Sequence, residues 1–503
     1  MKTTLVHLLR CVGYALRSIF LGLPLTLALS ACTVGPDYHR PSSAVSATFK
    51  ELKGWKAAQP KDDALSTHWW ELFEDPYLNG LVTQVNLNNQ SLAQAEAQFR
   101  QAQALVQGAR AAYFPTATAT ATTNRFRAAT GQSVAVSGVR SLFGTALSIA
   151  WEPDLWGNVR RQVEANQATA QASFATLQAL RLSTQATLVQ SYFQLRALDA
   201  QKKILDDTVA TYSKTLQITQ NRYAVGVSAK SELVQAQTQV QSIQAQGIHL
   251  GVQRAQLEHA IALLLGKTPS ELSIPFAPLA SVLPEIPVLM PSQLLERRPD
   301  IAATERQVAA ANAKIGVAKA AYFPTVNLSA SNGYQSGTLS NLISSAARYW
   351  AIGPAAFALP LFDGGAKGAQ MSDSIAAFDA SVAAYRLAVL TGFQEVEDNL
   401  AALNILQQEA VVQQQAVASA AEALKLTSNQ FQAGTVSYLN VMTAQVVALD
   451  NQKAALAVFS QRLDAAVMLI KALGGGWTTA QLPSADKVGG EAKWSQFLPI
   501  PLR

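Results

Sequence analysis

Cys32 is the residue whose type and surroundings best fit a chemical event. It follows Leu29, Ser30 and Ala31, and behind them lies an apolar run over 18–29 that is preceded by Lys2, Arg10 and Arg17 with no acidic residue. Basic residues, an apolar run and small residues before the cut are the grammar of an export leader. A thiol at the cut suits a peptidase that cleaves ahead of Cys32 once its sulfur carries diacylglycerol. The competing reading is an uncleaved membrane helix, which the short run and Pro24 disfavour. The other candidate chemistry is thin. The five histidines, His7, His39, His68, His249 and His259, are too far apart for a metal motif, and no His-Glu-x-x-His, Gly-x-Ser-x-Gly or phosphate loop occurs. Cys11 and Cys32 are the two cysteines, so cleavage leaves one, and neither a disulfide framework nor a thiolate metal site can form. The expected assignment is therefore no catalytic residue, no metal and no cofactor apart from a covalent lipid on Cys32.

The stretch 29–32 resembles a bacterial lipobox, and Thr33 after the cysteine, where aspartate would commonly retain a lipoprotein at the inner membrane, favours the outer membrane. Charge agrees with an envelope protein. The formal charge of +6 falls to +3 without the three leader cations, and the remaining Lys and Arg are scattered among carboxylates, so no nucleic-acid partner is expected.

The elements that position these residues are repeated. The segment 92–116, ending Ala-Ala-Tyr113-Phe114-Pro115-Thr116, recurs at 301–325, ending Ala-Ala-Tyr322-Phe323-Pro324-Thr325. A second pair, 222–237 and 430–445, has nearly the same offset and centres on Gly226 and Gly434. Each half reads as helix, two strands, very long helix, turn, helix. At Pro115 an Ala- and Gln-rich run becomes the alternating Thr-Ala pattern of 116–122. In the partner strand, 143–151, Phe143, Leu147, Ile149 and Trp151 fall on one face and Gly144, Ala146, Ser148 and Ala150 on the other. In the second half, Val326, Leu328 and Ala330 alternate with polar residues before a return strand over about 349–361. Tyr113, Phe114, Tyr322, Phe323, Trp151, Tyr349 and Trp350 gather at strand ends. Strands of about ten residues with aromatic ends suit an outer-membrane barrel, although one hairpin alone reads equally as a soluble sheet. Four strands cannot close a barrel, whose smallest natural form has about eight, so several chains must pool hairpins.

Residues 158–225 contain no Gly or Pro, which predicts about 100 Å of helix at ~1.5 Å per residue. Residues 369–433 repeat the feature with a single Gly392. Each run ends at a glycine turn, Gly226 or Gly434, and a second helix is expected to return from a capping serine, Ser228 or Ser437. A plain coiled-coil stalk is the alternative for the helices taken alone.

Several further segments complete a pattern: 32–38 with Pro41, Trp69-Trp70-Glu-Leu-Phe73-Glu-Asp75-Pro76, Leu295-Glu-Arg297-Arg298-Pro299-Asp300-Ile301 with Glu305, Leu361-Phe362-Asp363-Gly364-Gly365, and Ala472-Leu473-Gly474-Gly475-Gly476-Trp477. Together with the two Tyr-Phe-Pro junctions they resemble the TolC-type outer-membrane factors over essentially the whole mature chain, in particular the NodT-like lipoprotein branch that serves resistance-nodulation-division efflux systems. The resemblance implies a mostly α protein with a membrane β-barrel: a homotrimer whose twelve-stranded barrel continues into a twelve-helix periplasmic α-barrel. It implies a leader over 1–31, a first repeat over 32–291 (strands about 115–153, hairpin about 157–265) and a second over 292–503 (strands about 323–362, hairpin about 368–473, then an equatorial tail). It further implies a passive exit duct in the outer membrane, extending into the periplasm, with the tips at Gly226 and Gly434 meeting a periplasmic adaptor linked to an energised inner-membrane transporter. The alternatives are the exit duct of a type I protein secretion system, favoured less by the lipobox and 297–300, and a non-conducting structural lipoprotein of the envelope.

Some members of that family carry aspartates just past the second tip turn. The matching positions here are Asn440 and Thr443, and the first-repeat counterpart of Asn440 is Glu232, which is either an aperture carboxylate, a bond to the neighbouring helix, or a solvated first-turn residue. Rings of side chains at a constriction set ion affinity. With amides and hydroxyls there, divalent cations are expected to block the single channel more weakly than in acidic-ring relatives; equal block in a planar bilayer would overturn this expectation.

Overall fold

The computed structural model describes residues 33–43, 48–51, 67–127, 139–277, 279, 283–284, 286 and 295–490. Cys32, the leader and the C-terminal end of the equatorial tail lie outside the described residues. The first repeat runs α1 (Pro76–Asn88), α2 (Gln90–Ala111), β1 (Thr116–Arg127), β2 (Val139–Trp151), α3 (Asn158–Ala224) and α4 (Lys230–Leu264). The second runs α5 (Pro299–Ala320), β3 (Thr325–Ser336), β4 (Arg348–Ala358), α6 (Ala366–Gln432) and α7 (Tyr438–Ala472), followed by a short α8 (Ala485–Val488). The duplication is metrical: α2 and α5 have 22 residues each, β1 and β3 have 12, α3 and α6 have 67, and α4 and α7 have 35.

The strands form one antiparallel sheet in the order β1-β2-β3-β4, so the two hairpins of the repeats join through β2 and β3. Thr116 pairs with Ala150 and Trp151 with Leu328, which brings both Tyr-Phe-Pro junctions to one end of the sheet. Tryptophans fasten that end: the Trp151 indole donates to the Tyr113 carbonyl at 3.0 Å, and Trp156 donates to the Pro324 carbonyl at 2.6 Å while stacking on Phe323.

Below the sheet, α3 is the backbone of the molecule. Its early turns present buried Ala165, Ala168, Ala172 and Ala175, and α5 answers with Ala302, Ala303, Ala309 and Ala310. Small side chains on both faces let the helix axes approach closely. Farther along, the core gathers Trp69, Trp70 and Phe73, the α1 residues Leu78 and Val82, the α3 residues Leu188, Tyr192 and Leu195, and the α7 residues Leu463, Val467 and Ile470. Buried ions brace this level. Asp199 is fully buried and accepts from Arg196 at 3.1 Å and Arg254 at 2.7 Å, and the same arginines hold the carbonyls of Pro275 and Ile274. Arg298 reaches Asp300 and Glu395, each at 2.6 Å, and the Ala472 carbonyl, tying α5 to α6 and to the end of α7.

The expected serine caps do not form. The cap position of α4 is Ala229, because the 208-residue offset that aligns Gly226 with Gly434 aligns Ser437 with Ala229 and leaves Ser228 one residue early. Ser437 does occupy the cap of α7, but its hydroxyl lies 3.4 Å from the Asn440 Oδ1 and not on a backbone N–H.

Two glycines separate conformational strain from space. Gly226 has φ +78° with nothing within 4 Å of a built Cβ, whereas Gly474 has φ +94° and its Cβ would lie 2.0 Å from the Arg297 carbonyl oxygen. Gly226→Ala should cost about 1 kcal/mol, from left-handed strain alone. Gly474→Ala should cost about 3 kcal/mol or more, because backbone must also move. Thermal unfolding of the purified variants checks the order; equal shifts would contradict the steric account.

Candidate functional site

The far ends of the helical hairpins carry the candidate site. At the first tip the chain leaves α3 through Gly226, whose N–H bonds the Tyr223 carbonyl while Val227 N–H bonds the Arg222 carbonyl at 2.8 Å. The second tip repeats this with Gly434 to Phe431 and Thr435 to Gln430. Both are glycine-dependent helix stops that satisfy the last carbonyls, with the glycine in the left-handed region. The surfaces of the tips are apolar for an exposed turn: Val225, Val227 and Leu439 are more than half exposed.

Glu232 and Asn440 lie in the first turns of the return helices and Thr443 in the second turn of α7. Asn440 and Thr443 are exposed and Glu232 is half-buried. The Thr443 hydroxyl donates to the Leu439 carbonyl of its own helix at 3.0 Å, so its proton is already committed, and Asn440 faces the Ser437 hydroxyl. Glu232 occupies the first turn of α4, where the helix dipole favours a carboxylate.

What joins the two hairpins is a residue that sequence reasoning missed. Arg222, in the last turn of α3, donates to the Phe431 carbonyl at 2.7 Å and lies 4.8 Å from the centre of the Phe431 ring. Phe431 in turn packs edge-on against Tyr438, 6.0 Å away, within a buried cluster that includes Ala236 and Val441. One signal was available: the repeat partner of Arg222 is Gln430, so the arginine is a departure from internal symmetry at the tip. Just behind it, α3 meets α7 through polar side chains. Buried Gln445 donates to Thr215 at 3.3 Å, and Thr219 is fully buried. Burial pushes the Tyr212 and Tyr438 phenols up to about 12, so both remain neutral hydroxyls at any physiological pH.

At the opposite end the sheet has two unlike faces. Directly paired residues share a face, so Phe143, Leu147, Ile149 and Trp151 line up with Leu328, Trp350, Ile352 and Phe357, while Thr116, Thr118, Thr120 and Thr122 align with Ala150, Ser148, Ala146 and Gly144. An apolar face and a small polar face back to back are what a barrel wall between lipid and water requires.

His249 and His259 are exposed on α4, and no cluster of three or more metal-binding side chains occurs among the described residues. The arrangement offers an apolar wall, a small polar face and two exposed helical tips. Arg222→Ala should remove a charged hydrogen bond worth about 2 kcal/mol. Its expected result is a reconstituted channel that is open a larger fraction of the time, with barrel unfolding unchanged; identical conductance traces for the variant and the parent would release Arg222 from any part in closure.

Two segments, residues 81–267 and 290–475, match the family model described as outer membrane efflux protein, one to each repeat. The chain is 33% identical over 460 residues to outer membrane protein OprJ of Pseudomonas aeruginosa, covering 90% of this chain and 95% of that protein. It is 31% identical over 453 residues to the toluene efflux pump outer membrane protein TtgC of Pseudomonas putida, covering 89% and 93%. Among solved structures it is similar to the outer-membrane channel OprN, with a TM-score of 0.83 and 31% identity over 89% of this chain and all of that one. Taken with the duplicated hairpins and the two-faced sheet, these matches show that the chain belongs to the outer membrane efflux protein family, whose members are channels of efflux pumps and not enzymes.

Proposed function

We propose that three copies of this chain close into one passive duct, anchored in the outer membrane by lipid on Cys32, through which small apolar molecules leave the cell. The observation that carries this reading is the four-stranded sheet with β1 and β4 as open edges, apolar on one face and joined directly to paired long helices. Three such sheets supply enough strands for a barrel, and the helical hairpins then stand in a ring beneath it. The tips at Gly226 and Gly434, with exposed Val225, Val227 and Leu439, are the surface for a periplasmic adaptor. The adaptor in turn couples the duct to a resistance-nodulation-division transporter in the inner membrane, which supplies the energy. The likeness to a toluene pump component supports apolar cargo of low molecular weight.

The test is drug susceptibility in a strain lacking this gene, complemented with the intact sequence or with Gly434→Trp, which fills a left-handed position with a large ring. Deletion is expected to sensitise cells to unrelated apolar drugs at least several-fold, with resistance restored by the intact chain and not by the tip variant. Unchanged susceptibility together with an exported protein retained inside the cell would replace this reading with type I protein secretion. Unchanged susceptibility without such retention would leave a structural envelope lipoprotein.

A further inference from the structure

The charges of the sheet are of one kind and at one end. Residues 116–151 and 325–358 hold four arginines, Arg125, Arg127, Arg140 and Arg348, and no Asp, Glu or Lys. All four are exposed and lie at the end of the sheet remote from the helices. Their faces follow from the register. Arg125 pairs with Ser141 and Arg127 with Val139, which places both on the face of Phe143, Leu147 and Ile149. Arg348 pairs with Tyr334, itself opposite Thr145, which places it on the same face as Trp350 and Ile352. Arg140 pairs with Phe126 and lies on the other, polar face.

Three arginines thus crown the apolar face. Their height fits a boundary: Arg125 stands nine residues beyond Thr116, about 30 Å along a strand and about 23 Å of height at a tilt of about 40°. A barrel's apolar band is about 25 Å tall, so the guanidinium groups fall where hydrocarbon ends and headgroups begin on the outer side. The inference also uses the trimeric closure proposed above. There β4 of one copy runs antiparallel beside β1 of the next at a strand spacing of about 5 Å, so that Arg348 and the pair Arg125 and Arg127 flank one seam at the same end of the barrel. Within a single sheet β2 and β3 separate them.

We infer that each seam between copies is a binding site for the phosphorylated glycolipid of the outer leaflet, with Arg125 and Arg127 of one copy and Arg348 of the next holding its phosphates. Arginine suits this partner because its planar fork donates two parallel hydrogen bonds to a phosphate and its charge does not titrate. The absence of carboxylates from the strands leaves these cations unopposed, and Trp350 and Ile352, 69% and 84% exposed, offer apolar surface to the acyl chains directly beneath.

Native mass spectrometry of the detergent-purified protein, titrated with diphosphoryl lipid A, tests this. Wild type is expected to take up to three lipids per trimer. Affinity should fall about fivefold for each of Arg125→Gln, Arg127→Gln and Arg348→Gln, and about a hundredfold for all three together. Arg140→Gln, on the polar face, should leave it unchanged. The inference is overturned if Arg140→Gln weakens binding as much as the others, if the triple variant binds as wild type does, or if phosphatidylglycerol or dephosphorylated lipid A binds equally well. Should the triple variant fail to assemble, the single variants decide. The same spectra report the oligomer: a wild type without trimers defeats the closure reading, whereas arginine-dependent lipid A uptake by a monomer would keep the headgroup site and discard only the seam.

Discussion

An open sheet edge has no stable place in hydrocarbon. Each unpaired backbone N–H or C=O there costs several kcal/mol, since no water is present to replace the missing partner. This chain has two such edges, β1 with 12 residues and β4 with 11, on a sheet whose apolar face demands lipid. That conflict is the constraint on which the rest of the architecture depends. The proposed pairing of β4 of one copy with β1 of another would resolve it, and sheets joined in that way would fix where the helices lie. The Tyr-Phe-Pro junctions, clamped by Trp151 and Trp156, carry the strand direction straight into α2, α3 and α5.

Much of this was legible in the sequence because membrane and helix impose plain patterns. The run free of Gly and Pro over 158–225 became α3 to within one residue. The alternation at 116–122 marked β1, but the strand continues to Arg127, and β2 begins at Val139, four residues before the expected Phe143. The reason is physical. Hydropathic alternation reports a wall with lipid on one side, and it fades where the strands rise past the hydrocarbon into Asn124 and Arg125. The pattern ends before the hydrogen bonding does.

Other features were silent because they are solved in three dimensions. Nothing in the spacing of Arg196, Asp199 and Arg254 announces that one buried carboxylate will hold two arginines and, through them, the loop at 274–275. The serine caps failed for the opposite reason. A one-residue difference between the repeats moves Ser228 out of register, and at Ser437 the hydroxyl turns to the Asn440 side chain and not to a backbone N–H.

The duplication makes the two hairpins equal in length, so their unequal chemistry at the tip stands out. Nearer the sheet, α3 and α7 meet through Leu188, Leu195, Leu463 and Val467, an interface whose loss exposes apolar surface at about 25 cal/mol per Å². At the tip the same two helices combine an apolar cluster, Leu216 and Ile218 with Tyr438 and Val441, with a polar contact in which Gln445 donates to Thr215 and keeps its own Oε1 without a hydrogen-bond partner. A buried polar seam left incompletely satisfied is held less firmly than an apolar one, and water entering it restores what the seam withholds. Arg222, absent from the second repeat, donates to the Phe431 carbonyl and so ties α3 to α6 at the tip with one charged hydrogen bond that has no counterpart by symmetry.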